Sequence, residues 1–85
     1  MEQITHEIRG IPLWLLRDYL VDLGGVAQPD GTVDGPGWQG RLTPLDDFRL
    51  GSLRVAAVRM ELSGTPEAMA QLEGGLKYKL LRAGG

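Results

Sequence analysis

A chain of 85 residues, 42% of them hydrophobic, can enclose one core and no second, because a domain this short buries only about 60% of the surface its unfolded form exposes. Without cysteine and with one histidine, it offers no disulfide, no thiolate nucleophile and no zinc site built from cysteine or several histidines. The formal charge of −2, with basic residues spread from Arg9 through Arg41 and Arg59 to Lys79, argues against nucleic acid as the partner, and no apolar run nears the roughly 18 residues of a membrane span.

The first residues, with Glu2 and Glu7 and no apolar stretch, do not read as a secretion signal, so a soluble cytoplasmic protein is expected. "ITHEIR" alternates strictly, with Ile4, His6 and Ile8 on one face and Thr5, Glu7 and Arg9 on the other, which predicts a half-buried strand. "IPLWLLRDYLVDLGG" predicts a helix. Pro12 opens it where a missing N–H costs nothing, Leu13, Leu16, Leu20 and Leu23 form its buried stripe, and Gly24-Gly25 ends it.

"VAQPDGTVDGPG" is crowded with turn formers and predicts a short hairpin around "PDG" that ends before "GPG". "WQGRLTPL" predicts another one-sided strand, with Trp38, Gly40 and Leu42 facing inward, followed by a loop over "DDF" and "RLGS". The longest strand is expected over "LRVAAVRMEL". Its parity changes, since Leu53 and Val55 are apolar at odd positions while Val58, Met60 and Leu62 are apolar at even ones. A β-bulge at Ala56-Ala57 would return all five to one face.

After Gly64 a last helix is expected, with Thr65 as N-cap, Pro66 in the first turn, Glu67 at the positive end, and Met69, Leu72, Leu76 and Leu80 as its stripe. Gly74-Gly75 costs such a helix roughly 2 kcal/mol against two alanines, and "LKYKL" alternates well enough to be a strand. Chain order favours the helix: a ubiquitin-like fold begins with a hairpin before its helix, whereas one strand precedes Pro12 here. Gly74-Gly75 would let the helix lie close to the sheet, with Lys77, Lys79 and Arg82 near its negative end. The expected order is β-α-β-β-β-β-α in an α+β fold.

"PLWLLRDYLVDLGG", "GSL" followed by "VRMEL", "SG" before the last helix and the closing "RAGG" together resemble the C-terminal domain of bacterial proteins related to the molybdopterin synthase small subunit. The resemblance covers nearly the whole chain. It implies a TBP-like fold, a curved antiparallel sheet with both helices on one face, and it implies no catalytic residues. In those relatives a sulfur-carrier domain with its own glycine tail precedes this one.

The candidate chemistry is sparse. His6 shares the Ile4/Ile8 face with no nucleophile to serve, and reads as a core-edge residue. Asp46-Asp47 and Asp30/Asp34 lack the ordered spacing of a calcium loop and read as turn residues. No catalytic, cofactor or metal residue is assigned. Trp14 and Val21 fall opposite the Leu16/Leu20 stripe, so Trp14 is either tucked beneath the loop entering the helix or exposed as an interface anchor. On the polar sheet face, Glu7, Arg9, Arg41, Arg59 and Glu61 are either solvated ion pairs or a docking face for a protein partner or a sister copy.

Gly84-Gly85 is either a helix cap with a frayed end or a terminal carboxylate open to adenylation, as in ubiquitin-like modifiers and sulfur carriers. The reading that follows is a non-enzymatic interaction domain whose partner is a sulfur-carrier or cofactor-biosynthesis protein. A tail-activated modifier is one alternative, and a domain with a small-ligand pocket between the last helix and the sheet, lined by Trp38 and Met60, is the other.

Overall fold

The computed structural model describes residues 1–84, with side chains described through residue 81. Its elements are β1 (Glu2–Arg9), α1 (Leu13–Asp22), β2 (Val26–Ala27), β3 (Thr32–Gly35), β4 (Trp38–Leu50), β5 (Leu53–Gly64) and α2 (Pro66–Gly84), which is the expected order. The five strands form one antiparallel sheet in the order β1-β5-β4-β3-β2, so the chain meanders from β2 to β5 and the first strand closes the far edge.

Both helices lie on one face of that sheet. Alternation aims Ile4, Ile8, Trp38, Leu42, Val58, Met60 and Leu62 at this face, and they meet Leu16 and Leu20 of α1 and Met69, Leu72 and Leu76 of α2 in a single core. Leu16, Leu20, Met60 and Leu62 are fully enclosed. Truncating any of them to alanine would remove about 2–5 kcal/mol, a large share of the roughly 5–15 kcal/mol that holds a small domain together.

Local chemistry sets the helix ends as the sequence suggests. The Pro12 carbonyl accepts the N–H of Leu15 and Leu16 to start α1, and Gly24 (φ +103°) turns the chain out after Leu23. Thr65 Oγ1 accepts the Ala68 N–H at 3.2 Å at the head of α2. The small hairpin turns over Gln28 to Gly31, where the Thr32 N–H (3.0 Å) and hydroxyl (2.6 Å) both donate to Asp30 Oδ1. The Thr32 hydroxyl and then its N–H hold the Asp30 carboxyl below the usual carboxylate range; desolvation opposes them with a smaller effect, and the charge of Arg41 adds a weaker lowering still.

Three expectations are corrected. "DDF" and "RLGS" do not form a loop: β4 runs on to Leu50, and the chain turns only at Gly51-Ser52. The bulge exists, but on β4. Leu45 pairs with Ala57 and Phe48 with Val55, so Asp46-Asp47 oppose Ala56 alone, and the extra residue is absorbed by the strand opposite the expected one. β5 keeps its alternation, and Val55 and Leu53 therefore stay on the face away from the helices. Pro44 is tolerated in β4 because β3 has ended by then, leaving that stretch with β5 as its partner.

The third correction concerns Gly74-Gly75. Gly75 faces α1 and not the sheet, since a Cβ there would stand 2.6 Å from Leu23 Cδ2; Gly74 has nothing within 4 Å of such an atom. The close approach that Gly75 allows is between helices. Beside it, Lys79 Nζ donates to Asp22 Oδ2 at 3.2 Å and lies 5.5 Å from the centre of the Tyr19 ring.

Candidate functional site

The face of the sheet that carries no helix has two halves. Near β3 and the start of β4 it is polar, with Arg41 opposite Glu61, Thr43 opposite Arg59, and Arg59 opposite Glu7. Arg41 and Arg59 make no ion pair within 4 Å among the described residues. The expected lattice of ion pairs therefore reduces to one, Glu7 with Arg9, at 2.9 Å from Oε2 to Nη2.

Toward the β4–β5 turn the same face becomes apolar. The cross-strand pairs Leu45/Ala57, Phe48/Val55 and Leu50/Leu53 all project there. Arg9, held by Glu7, lies flat over Phe48 with its guanidinium carbon 3.9 Å from the ring centre, which fixes Phe48 on this face and covers one side of it. Beyond that cover Leu50 is 57% exposed and Leu53 66%. Exposed leucines on adjoining strands, next to a half-buried phenylalanine and valine, form a continuous apolar surface of the kind that marks a contact with another molecule.

Sequence reasoning missed this surface, although the parity change at Ala56-Ala57 was its signal. The odd-numbered apolar residues, expected in the core by way of a bulge, are apolar because they serve the other face.

Trp14 is 56% exposed and Val21 is exposed one turn-pair further along α1, so Trp14 is not tucked beneath the entering loop. Both lie on the outward side of the helix layer, while Arg41 and Arg59 lie on the far side of the sheet. The structure thus divides the four predicted partner-surface residues between two opposite faces. Gly84 falls in the last turn of α2 and not after it, and Gly85 lies outside the described residues.

His6 sits at the rim of the core, its Nε2 3.2 Å from Glu73 Oε1 of α2. Asp34 accepts from Gln39 Nε2 at 2.9 Å, Asp30 serves its turn, and Asp46 and Asp47 sit in the bulge, so each acidic pair has a structural place. The expected pocket between the last helix and the sheet is present and Met60 lines it, whereas Trp38 does not. No helix among the described residues is long and apolar enough to cross a membrane.

An α+β domain with a five-stranded antiparallel sheet, two helices on one side and an uncovered apolar surface on the other is the class these features define. Residues 4–85 match the family model of the archaeal MoaD-like proteins, and the chain belongs to that family. No curated protein matches it. The family relation fits sulfur-carrier or molybdopterin biology in the broad sense.

Proposed function

We infer that this protein is a non-enzymatic accessory domain of molybdopterin or sulfur-carrier biology, working in the cytoplasm, that docks a protein partner of cofactor biosynthesis on the open face of its sheet. One observation carries the reading: the apolar surface of Leu45, Phe48, Leu50, Leu53 and Val55 lies on the face of the sheet away from the core, with no helix over it. It is flanked by Arg9 and Arg59, which suits an interface with an apolar centre and a charged rim. The TBP-like curvature and the kinship with a C-terminal domain of bacterial relatives belong to the same proposal.

The family suits a partner in cofactor biosynthesis, and within that class we take a sulfur carrier or its synthase as the occupant, with a second copy of this chain as the competing one. Tail activation through Gly84 and Gly85 is less well supported, because α2 extends as far as Gly84 and leaves no described extended tail before it.

The test is a titration of the chain against purified sulfur-carrier and molybdopterin-synthase proteins, with Leu53→Glu and Trp14→Ala in parallel. Leu53→Glu is expected to weaken binding at least about tenfold while the domain melts as before. If Trp14→Ala abolishes binding and Leu53→Glu leaves it intact, the docking face is the helix layer and the reading is wrong.

A further inference from the structure

On the helix side, between α2 and the β1–β5 edge, lies a groove of about 500 Å³, within the range of about 300–1,000 Å³ typical of small-molecule sites. Among the described residues, Met60, Leu76, Leu80 and Leu81 supply its apolar lining, and His6, Glu73, Gly74 and Lys77 line it with them. Two features show why the space stays open. Gly74, which lines the groove, withholds a side chain where a Cβ would meet nothing within 4 Å, and the bond that Glu73 accepts from His6 props α2 against the edge strand without filling the gap.

The polar groups of the groove are not equivalent. Glu73 already accepts from His6, so its carboxylate has a donor. Lys77, one turn further on and exposed, has no ion-pair partner among the described residues. Glu73 keeps its charge but turns it to His6, so among the described lining residues the Lys77 ammonium is the charge left to meet a bound molecule; with the apolar lining it complements an apolar body bearing one negative charge.

We propose that this groove binds a small monoanionic amphiphile, an aliphatic or aromatic body bearing one carboxylate, with the body against Leu80 and Leu81, above a floor of buried Met60 and Leu76, and the carboxylate at Lys77. The site lies on the opposite side of the sheet from the proposed docking surface and stands or falls independently of it.

Decanoate and decylammonium, equal in chain length and opposite in charge, are the probes, and the Met60 methyl resonance is the reporter, since that side chain floors the groove and is enclosed in the free protein. Decanoate is expected to shift the resonance saturably below millimolar concentration, and decylammonium to bind about tenfold more weakly; Lys77→Glu reverses that order.

Gly74→Leu, which fills the groove from a position with room for a side chain and replaces a poor helix former, is expected to abolish the shift without lowering the melting temperature. Absence of a saturable shift, a shift that persists in a folded Gly74→Leu, or equal binding of the two probes to the wild-type protein would each overturn the proposal. Lys77 is exposed, so its variant provides a second test that does not depend on how Gly74→Leu folds.

Discussion

The two halves of the long β4–β5 ladder follow the same pleat and bury opposite faces. From Trp38 to Leu42 and from Val58 to Leu62, apolar residues occupy even positions and point to the helices, while the odd ones are polar. Past the Asp46-Asp47 bulge, β5 has not slipped, yet its apolar residues occupy odd positions and look the other way. A shift of hydrophobic parity along a strand thus has two physical causes: an inserted residue that restores one face, or an unbroken strand whose apolar side changes because its surroundings change. Here the second cause acts on β5, and the bulge on β4 only keeps Phe48 and Leu50 in step with it.

That contrast yields predictions of descending size. Leu20→Ala, in the helix-covered half, should lower unfolding free energy by about 2–5 kcal/mol in a urea melt. Leu53→Glu, in the uncovered half, should change it by less than about 0.5 kcal/mol; a loss as large as that of Leu20→Ala would mean the distal half is core after all. Gly75→Ala should destabilise by about 1–3 kcal/mol, because its new methyl meets Leu23, whereas Gly74→Ala should stabilise by about 0.5–1 kcal/mol, because helix propensity improves and nothing obstructs it. Thermal melts of the two adjacent variants should therefore move in opposite directions.

The smallest effect concerns pH. The folded-state pKa of Asp30 is depressed chiefly by the Thr32 hydroxyl, so the stabilisation that carboxylate contributes is complete above the ordinary carboxylate range and is lost as pH falls through the folded value. Thr32→Val should raise the Asp30 pKa toward the ordinary range in a carboxyl-carbon NMR titration, leaving the backbone N–H bond in place. An unchanged titration would remove the hydroxyl from that role.

Much of the covered half was legible in the sequence, because both of its periodicities report the same thing. The period-2 stripe of Ile4, His6 and Ile8 and the helical stripes of Leu16/Leu20 and Met69/Leu72/Leu76 all mark what faces the core. Thr65 and Gly24 marked the helix ends by chemistry that acts locally. The distal half was misread because parity alone does not say which face a helix covers; that depends on where α1 and α2 stop short of the β4–β5 turn. The bulge was placed on the wrong strand for a related reason, since two residues opposing one is a property of the pair. Gly74 and Gly75 were indistinguishable as letters, and only the approach of Leu23 separates their roles.

Hydrogen–deuterium exchange of the chain, alone and saturated with the proposed sulfur-carrier or synthase partner, tests the central claim most directly, because it reports which face the partner covers. Slowed exchange concentrated at residues 45–55, with the backbone around Trp14 unchanged, is the expected result. Protection confined to α1, or none in the β4–β5 turn despite saturation, would contradict the assignment of the open sheet face as the docking surface.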